Sequence, residues 1–387
     1  MRSYARWILH SQRTRLTTKG SLRVRSRQAK VHEEKQRQPE TADHRELKGA
    51  STLRSQTIAA EPAPHPITTT FPGRDLVSIR DLSPLELESL FHLASLIKTR
   101  PEEFRAALAG KHIAMFFEKP SLRTRITFEA AICGLGGSVS FIDQRHERLD
   151  ARETLNDIAH NLERWVGGIV LRTFAHETVE GMAEHACVPV INALSEVEHP
   201  CQALADYFTL QEKFGDLRKI TLAYVGDGNN VMHSLLLTAA LLGSKIRLGT
   251  PKGYGANPQI LADAREIAKQ TGAVIELMSD PRKAVRGVDA VYTDAWTSMG
   301  HEHETDERAR IFPPYQVNNE LIAVAAPHAV FMHCLPAHRN EEVTDAVIDS
   351  VRSIVFDQAE NRMHVQKAIL TMLIGGKTRQ PLRSAHA

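Results

Sequence analysis

The sequence lacks several features that would place it in a common functional class. Its four cysteines, Cys133, Cys187, Cys201 and Cys334, form no Cys-x-x-Cys pair and show no zinc-ligand spacing, which favours reduced, intracellular thiols. No apolar run approaches the roughly 18 residues that span a bilayer, so no membrane partner is expected. The Gly-x-Gly-x-x-Gly pattern is also absent, and Gly226 to Asn230 is only a weak indication of a nucleotide loop.

Positive and negative residues nearly balance in number, and an excess of one sign occurs at the start of the chain. The formal net charge is +2 over 387 residues, with 24% charged and 42% hydrophobic residues, as in a soluble globular protein that has no nucleic-acid partner. Residues 1–32 carry nine Lys or Arg and neither Asp nor Glu. We expect residues 1–72 to be a disordered extension. A mitochondrial transit peptide in residues 1–32 and a misassigned start codon are alternative interpretations.

From Leu76 onward, strand-like and helix-like segments alternate, which predicts an α/β fold with two doubly wound parallel sheets. The expected domains are residues 73–213 and 214–359, and helices between the domains join them. One joining helix is Pro200 to Phe214; a last helix, within residues 360–376, packs back on the first domain. Six strands are expected in the second half, the last at residues 354–356.

The most informative segment runs from Phe116 to Arg125. An apolar strand ends at Lys119-Pro120, and a corner with two hydroxyls and two guanidiniums leads into a helix. Such a corner directs backbone N–H groups and the positive helix end at one point, and Arg adds a charged fork that matches phosphate. The segment predicts a site for a phosphorylated small molecule, although an Arg-rich first turn of a surface helix is the more common meaning of an isolated Arg pair.

Further polar clusters follow the predicted strands. Taken singly, each has an ordinary explanation: His199-Pro200 as a helix start, Cys334 as a buried thiol and Asp294 as a helix cap. Taken together they indicate one site, because the carboxyl ends of parallel strands meet at one edge of a sheet and a cleft between domains is a favoured place for a ligand. The clusters are Arg172-Thr173, His199 to Gln202, Gly226 to Asn230, Asp294 to Gly300, His333 to Pro336 and Glu360 to Arg362.

These motifs closely resemble the ornithine carbamoyltransferase family, over about Leu76 to Leu373. The family's corner Ser-Thr-Arg-Thr-Arg is similar to Ser121 to Arg125, and His-Pro-x-Gln-x-Leu-Ala-Asp is present as His199 to Asp206. Asp-x-Trp-x-Ser-Met-Gly is present from Asp294, and His-Cys-Leu-Pro from His333. The last two motifs distinguish ornithine enzymes from aspartate carbamoyltransferase.

The resemblance implies that carbamoyl phosphate and L-ornithine react to give citrulline and phosphate, without a metal or cofactor. Catalytic roles would belong to Arg123, Arg172, His199 and Cys334. The family's usual assembly is a homotrimer, sometimes stacked further. Carbamoyl phosphate would be bound by Ser121, Leu122, Arg123, Thr124, Arg148, Arg172, His199, Gln202, Cys334, Leu335 and Arg362; ornithine would be bound by Asn230, Asp294, Ser298 and Met299.

Two positions depart from the family pattern. Leu122 replaces a Thr that the family uses partly through its backbone N–H, which Leu retains; Leu also occurs there in relatives that act on N-acetyl- or N-succinylornithine. Arg148 stands where a neighbouring subunit commonly presents a Gln to carbamoyl phosphate. Our hypothesis is that Arg148 does so here, and the alternative is a solvated loop charge.

Other interpretations remain open at this point. An acylated ornithine, putrescine or aspartate could be the acceptor, although Asp294 suits an unblocked α-ammonium group. A non-catalytic binding protein of the same fold is a further alternative. Because Ala337-His338-Arg339 resembles bacterial members of the family, the cytoplasm is expected, with the mitochondrial matrix as the alternative. The sequence leaves the metabolic direction open.

Overall fold

The computed structural model describes residues 73–145, 148–297 and 304–375. The extension predicted for residues 1–72 and the proposed transit peptide therefore lie outside the described residues. In the described part, no helix combines the length and the apolar composition that crossing a membrane requires.

The first lobe contains a four-stranded parallel sheet. The strands lie in the order β2-β1-β3-β4. They are β1 (His112–Phe117), β2 (Ser138–Asp143), β3 (Gly168–Arg172) and β4 (Val190–Leu194), and the helices of this lobe are α1 (Pro84–Thr99), α2 (Leu122–Gly134), α3 (Leu155–Leu162) and α4 (His176–His185). Strands β1, β3 and β4 are buried almost throughout, as expected for a parallel sheet covered on both faces.

The second lobe contains a five-stranded parallel sheet in the order β7-β6-β5-β8-β9. Its strands are β5 (Thr221–Val225), β6 (Lys245–Gly249), β7 (Val274–Met278), β8 (Ala290–Thr293) and β9 (Val330–His333). Its helices are α6 (Asn230–Leu242), α7 (Pro258–Thr271), α8 (Pro281–Val285), α9 (Thr305–Ile311), α10 (Asn319–Ile322) and α11 (Asp345–Ile348). The prediction of two doubly wound parallel sheets is confirmed.

Two further helices connect the lobes. Helix α5 (Pro200–Phe214) is buried from Pro200 to Leu210 and touches α6. Helix α12 (Val355–Leu373) packs against α1, α2 and α5 and touches β9. Side chains of both lobes join α5 and α12 in one apolar core, so these two helices link the sheets whose ends carry the polar clusters.

The strand predicted at residues 354–356 is wrong. Val355 and Phe356 form the first turn of α12, which begins before residue 360, where the predicted last helix starts. Ser353 makes an isolated bridge to Phe331, and the N–H of Ile354 donates to the carbonyl of Phe331. A short apolar run fits a strand or a buried helix start equally well, and here the contacts of α12 decide the outcome.

Candidate active site

A cavity of about 950 Å³ opens where the strand ends of both lobes meet. Twelve of the predicted site residues line it: Ser121, Leu122, Arg123, Thr124, Arg172, His199, Gln202, Asn230, Asp294, Cys334, Leu335 and Arg362. Ser298 and Met299 lie outside the described residues, and Arg148 lines a different cavity. The motifs are far apart in the sequence, and the folding of two parallel sheets brings them together.

The phosphate-type corner is built on the carboxylate of Glu118. This buried side chain follows β1 and accepts hydrogen bonds from the N–H groups of Leu149 (3.1 Å) and Phe174 (2.8 Å). The N–H of Glu118 donates to the carbonyl of Arg172. Arg172, at the end of β3, is the register partner of Phe117 at the end of β1. These bonds tie the ends of two strands together and fix the direction in which the chain enters α2.

Helix α2 begins at this corner with a side-chain cap. The Ser121 hydroxyl accepts a hydrogen bond from the N–H of Thr124 at 3.2 Å, which satisfies one free donor of the first turn. The side chain of Leu122 is 75% exposed. Its contribution to the cavity is therefore chiefly its backbone N–H at the positive end of α2. Arg362 of α12 reaches the corner, where its Nη2 donates to the Thr124 hydroxyl at 2.9 Å.

Several buried polar atoms near this corner have no hydrogen-bond partner among the described residues. They are Nε of Arg172, Nε of Arg362, Nδ1 of His199 and Oε1 of Gln202. Unpaired buried polar groups are costly, and the four residues that carry them line one cavity, which indicates a site for a polar ligand. We call Ser121–Thr124, Arg172, His199, Gln202 and Arg362 the cationic wall.

Burial and mutual repulsion change the acidity of the cationic wall. Burial, and then the charge of Arg362, lower the pKa of Arg172 to about 9. Burial and the two guanidiniums also hold the pKa of His199 well below its usual range. At neutral pH the histidine is therefore uncharged while the guanidiniums keep their charge, so the wall combines neutral and cationic hydrogen-bond donors.

His199 is held in place through its backbone. It caps α5, and its N–H donates to the Ser234 hydroxyl of α6 at 2.9 Å. Ser234 in turn donates to the fully buried Glu198 at 3.0 Å, and the carboxylate of Glu198 also accepts from the N–H of Ile79 at 3.2 Å. The imidazole thus keeps its position without a side-chain bond from Nδ1 to any described residue.

The same cavity is lined by a second cluster, Asn229, Asn230, Asp294 and Cys334, which we call the carboxylate wall. Asp294 follows β8 and accepts from Nδ2 of Asn229 at 2.7 Å and from Sγ of Cys334 at 3.0 Å. The amide of Asn230 donates to the carbonyl of Ser195 at 2.6 Å. Both oxygens of Asp294 are therefore engaged, and the carboxylate retains lone pairs for a cationic ligand.

Cys334 is a thiol rather than a thiolate in this setting. Burial, and then the charge of Asp294, raise the pKa of Cys334 well above its usual value.

His333, which precedes Cys334, uses both of its ring nitrogens. The N–H of Leu335, a residue with a φ of 57°, donates to Nδ1 of His333 at 2.9 Å, and Nε2 of the same histidine contacts Glu342 at 3.1 Å. Asp294, His333 and Cys334 lie close enough to share a metal ion, but both ring nitrogens of His333 are already used.

Arg148 lies away from both walls within this chain. Its guanidinium pairs with Asp150 at 3.1 Å and is 56% exposed, and it lines a surface cavity of about 490 Å³ that includes Trp165. The hypothesis that it serves a neighbouring subunit is compatible with this exposure, and so is a solvated loop charge.

Two residues that shape the cavity, Lys119 and Arg308, were not among the predicted site residues. Lys119 lines the cavity and lies over the Phe174 ring, with Nζ 4.7 Å from the ring centre; its position directly before Pro120 was a usable signal. Arg308 lines the cavity and pairs with Asp227 at 2.9 Å. No local sequence pattern points to Arg308, because its partner Asp227 lies 81 positions earlier, on the loop after β5, and only the fold brings the two side chains together.

Comparison with known proteins agrees with the two lobes. Residues 74–212 match the family "Aspartate/ornithine carbamoyltransferase, carbamoyl-P binding domain", and residues 218–373 match "Aspartate/ornithine carbamoyltransferase, Asp/Orn binding domain". An ornithine carbamoyltransferase of Thermococcus kodakarensis is 48% identical over 79% of this chain and 97% of its own length. An anabolic ornithine carbamoyltransferase of Pyrococcus furiosus is 46% identical over 79% of this chain and 97% of its own.

The same likeness holds in three dimensions. The solved structure of an ornithine carbamoyltransferase from Pyrococcus furiosus superposes with a TM-score of 0.77 at 46% sequence identity. The match covers 80% of this chain and 99% of that chain. The part of this chain that carries both walls therefore matches almost the whole length of that solved structure.

Proposed function

The chain belongs to the aspartate/ornithine carbamoyltransferase family, and from this we propose that it transfers the carbamoyl group of carbamoyl phosphate to the δ-amine of L-ornithine. The products are L-citrulline and phosphate. The observation that carries the proposal is that both walls line one cavity. One wall offers buried donors to an anion, and the other offers a carboxylate to a cation.

The cationic wall would bind carbamoyl phosphate in two parts. Ser121, Arg123, Thr124 and the backbone of Leu122 would hold the phosphate at the positive end of α2, together with Arg362. Arg172 and His199 would donate to the carbamoyl oxygen, where negative charge develops as the amine attacks. Gln202 and the carbonyl of Leu335 would accept from the carbamoyl NH₂.

The carboxylate wall would bind ornithine. Asp294 would pair with the α-ammonium group, and Asn230, Ser298 and Met299 would complete the grip on the amino-acid end. Cys334 would lie between the two substrates as a neutral thiol. Thus the δ-amine would point towards the carbamoyl carbon while the charged end of ornithine stays fixed.

The reaction would need little beyond orientation and charge stabilisation. The uncharged δ-amine attacks the carbamoyl carbon, the bond from that carbon to the phosphate oxygen breaks, and the phosphate can accept the proton that the nitrogen loses. Holding two reactants in line in this way can account for a large part of an enzyme's acceleration.

The wider setting is proposed on the same basis. We assign residues 73–213, with the helix expected within residues 360–376, to carbamoyl phosphate and residues 214–359 to ornithine. An anabolic relative favours arginine biosynthesis, and we place the enzyme in the cytoplasm as a homotrimer or a multiple of trimers. In such an assembly Arg148 would reach the phosphate of a neighbouring chain.

An acceptor panel tests the function. Purified protein is given carbamoyl phosphate, without added metal, and one of five amines: ornithine, N-acetylornithine, N-succinylornithine, putrescine or aspartate. We expect citrulline from ornithine at a rate far above the other products, because Asp294 suits a free α-ammonium group. Faster turnover of an acylated ornithine would overturn the acceptor assignment, and no turnover with any amine would overturn the enzymatic function.

A further inference from the structure

Asp206 lies where three elements meet behind the cationic wall. It is fully buried on α5. Its Oδ1 accepts from Nε2 of Gln202 at 2.8 Å and from Nε2 of Gln358 at 2.9 Å, and its Oδ2 accepts from the Tyr292 hydroxyl at 2.9 Å. Three donors from α5, α12 and β8 therefore converge on one carboxylate.

This arrangement decides which end of the Gln202 amide faces the cavity. A glutamine amide carries an acceptor and a donor at nearly equal positions, and rotation about its last torsion exchanges them. An ionised carboxylate only accepts, so Asp206 binds the NH₂ end and leaves Oε1 at the other end. Gln202 lines the cavity, and its buried Oε1 has no partner among the described residues.

We infer that Asp206 is a positioning residue that fixes the Gln202 carboxamide with its oxygen towards the substrate, and so makes the site select a carbamoyl donor over an acetyl donor. The inference rests on the proposed function. An NH₂ group on the reacting carbon can donate to Oε1, whereas a methyl group leaves this buried acceptor unpaired. The reversed amide would set two NH₂ groups against each other.

A purely structural role would give a different result. If the carboxylate only joined α5, α12 and β8, its loss would loosen the site for every ligand alike. If it orients Gln202, its loss would weaken only ligands that are recognised through the NH₂ group. Acetyl phosphate separates the two cases, because it has the same phosphate and carbonyl as carbamoyl phosphate but a methyl group in place of NH₂.

The experiment compares Asp206→Ala with the unaltered enzyme. Two quantities are measured: kcat/KM for carbamoyl phosphate with ornithine, and the inhibition constant of acetyl phosphate against carbamoyl phosphate. We expect kcat/KM to fall about tenfold or more, as for one lost hydrogen bond to a buried group. The inhibition constant of acetyl phosphate should change by no more than about twofold, since its contacts do not depend on the amide orientation.

Two further variants make the result specific. In a Gln202→Ala background, Asp206→Ala should have little additional effect on kcat/KM, because the residue through which it acts is gone. Tyr292→Phe removes one partner of Asp206 but leaves the acceptor for Gln202, and it should leave the preference for carbamoyl phosphate unchanged.

The outcomes are distinct. Equal weakening of both donors by Asp206→Ala, or a full effect in the Gln202→Ala background, would overturn the inference. If circular dichroism shows that Asp206→Ala is unfolded, Asp206→Leu takes its place. This variant fills a similar volume but offers no acceptor to Gln202, so a several-fold fall in kcat/KM for carbamoyl phosphate is expected, and an unchanged value would overturn the inference. Absence of citrulline from the unaltered enzyme would instead refute the proposed function.

Discussion

The two walls of the cavity differ in how many of their buried polar atoms already have a hydrogen-bond partner. On the cationic wall, buried atoms of Arg172, His199, Gln202 and Arg362 have no partner in the described part of the chain. On the carboxylate wall, both oxygens of Asp294 already accept hydrogen bonds. The cationic wall thus depends on its ligand to satisfy it, whereas the carboxylate wall is held together by its own contacts.

The difference has a physical origin in the charges. Guanidiniums repel one another, so Arg172 and Arg362 can be crowded together only on a rigid support, which the end of β3 and the middle of α12 supply. A carboxylate can share its several lone pairs among neighbouring donors, so Asp294 keeps Asn229 and Cys334 while a cation approaches. We therefore expect substitutions on the cationic wall to have the larger effects on activity.

The strongest test of this difference uses two arginines of the same helix. Arg123 lines the cavity, whereas Arg125 points away from it and pairs with Glu129 at 2.9 Å. We expect Arg123→Met to lower kcat/KM for carbamoyl phosphate about 10²- to 10³-fold, as for the loss of a donor that stabilises developing charge. Arg125→Met is the matched control and should change kcat/KM by less than about twofold. Initial rates of citrulline formation measure both, and similar losses in the two variants would contradict the placement of the phosphate at this corner.

Asp294→Asn probes the carboxylate wall at almost constant shape. Removing the charge opposite a bound ammonium group should lower kcat/KM for ornithine about 10²-fold, since hydrogen bonds between charged groups are among the strongest in proteins. The KM for carbamoyl phosphate should change by no more than about threefold, because the cationic wall keeps its own residues. A loss that falls mainly on carbamoyl phosphate would show that the walls are not separable in this way.

The same variant gives a second readout that needs no substrate. Asp294 contributes to the raised pKa of Cys334, so Asp294→Asn should increase the rate at which iodoacetamide alkylates this thiol. Cys133 is exposed and lies near the end of α2, away from the first turn that lines the cavity, and it provides an internal reference when the modified peptides are counted by mass spectrometry. An unchanged ratio of the two alkylation rates would remove Asp294 as a cause of the thiol's low reactivity.

Much of the fold could be predicted from the sequence because parallel sheets leave a strong local signal. Strands such as His112–Phe117 are apolar from their second residue onward and are followed by turn residues and helical spacing. The error at residues 354–356 arose where this signal is ambiguous, in an apolar stretch too short to show its period. Its outcome depends on α12 packing against α1, α2 and α5, which no local pattern records.

The candidate site, like the fold, could be predicted only in part from the sequence. Its motifs could be located because each follows a strand, and the ends of parallel strands converge by geometry. The contacts that hold those motifs could not be predicted, because they join distant parts of the chain. Asp206 lies 86 residues from Tyr292 and 152 from Gln358, and nothing in the His199 to Asp206 motif indicates either partner.

The smallest expected effect concerns whether the cationic wall is complete within one chain. Arg148 pairs with Asp150 on the surface, and we propose that in the homotrimer it reaches the phosphate bound by a neighbour. Arg148→Ala should then raise KM for carbamoyl phosphate several-fold, about the effect of one partly solvated charge. Arg145→Ala is the control, because Arg145 is equally exposed and is paired with Asp143 at 2.7 Å.

A subunit-mixing experiment separates this role from a local one. If each site combines Arg123 of one chain with Arg148 of another, a mixture of Arg123→Met and Arg148→Ala subunits, dissociated and reassembled together, contains some sites with both arginines intact. Those sites should turn over carbamoyl phosphate with the low KM of the unaltered enzyme, which neither parent variant shows. If KM is unchanged in Arg148→Ala, or if mixing restores nothing, Arg148 is a loop residue that only pairs with Asp150. The cationic wall would then be formed by one chain alone, and Ser121 to Thr124 with Arg362 would be the whole of the phosphate site.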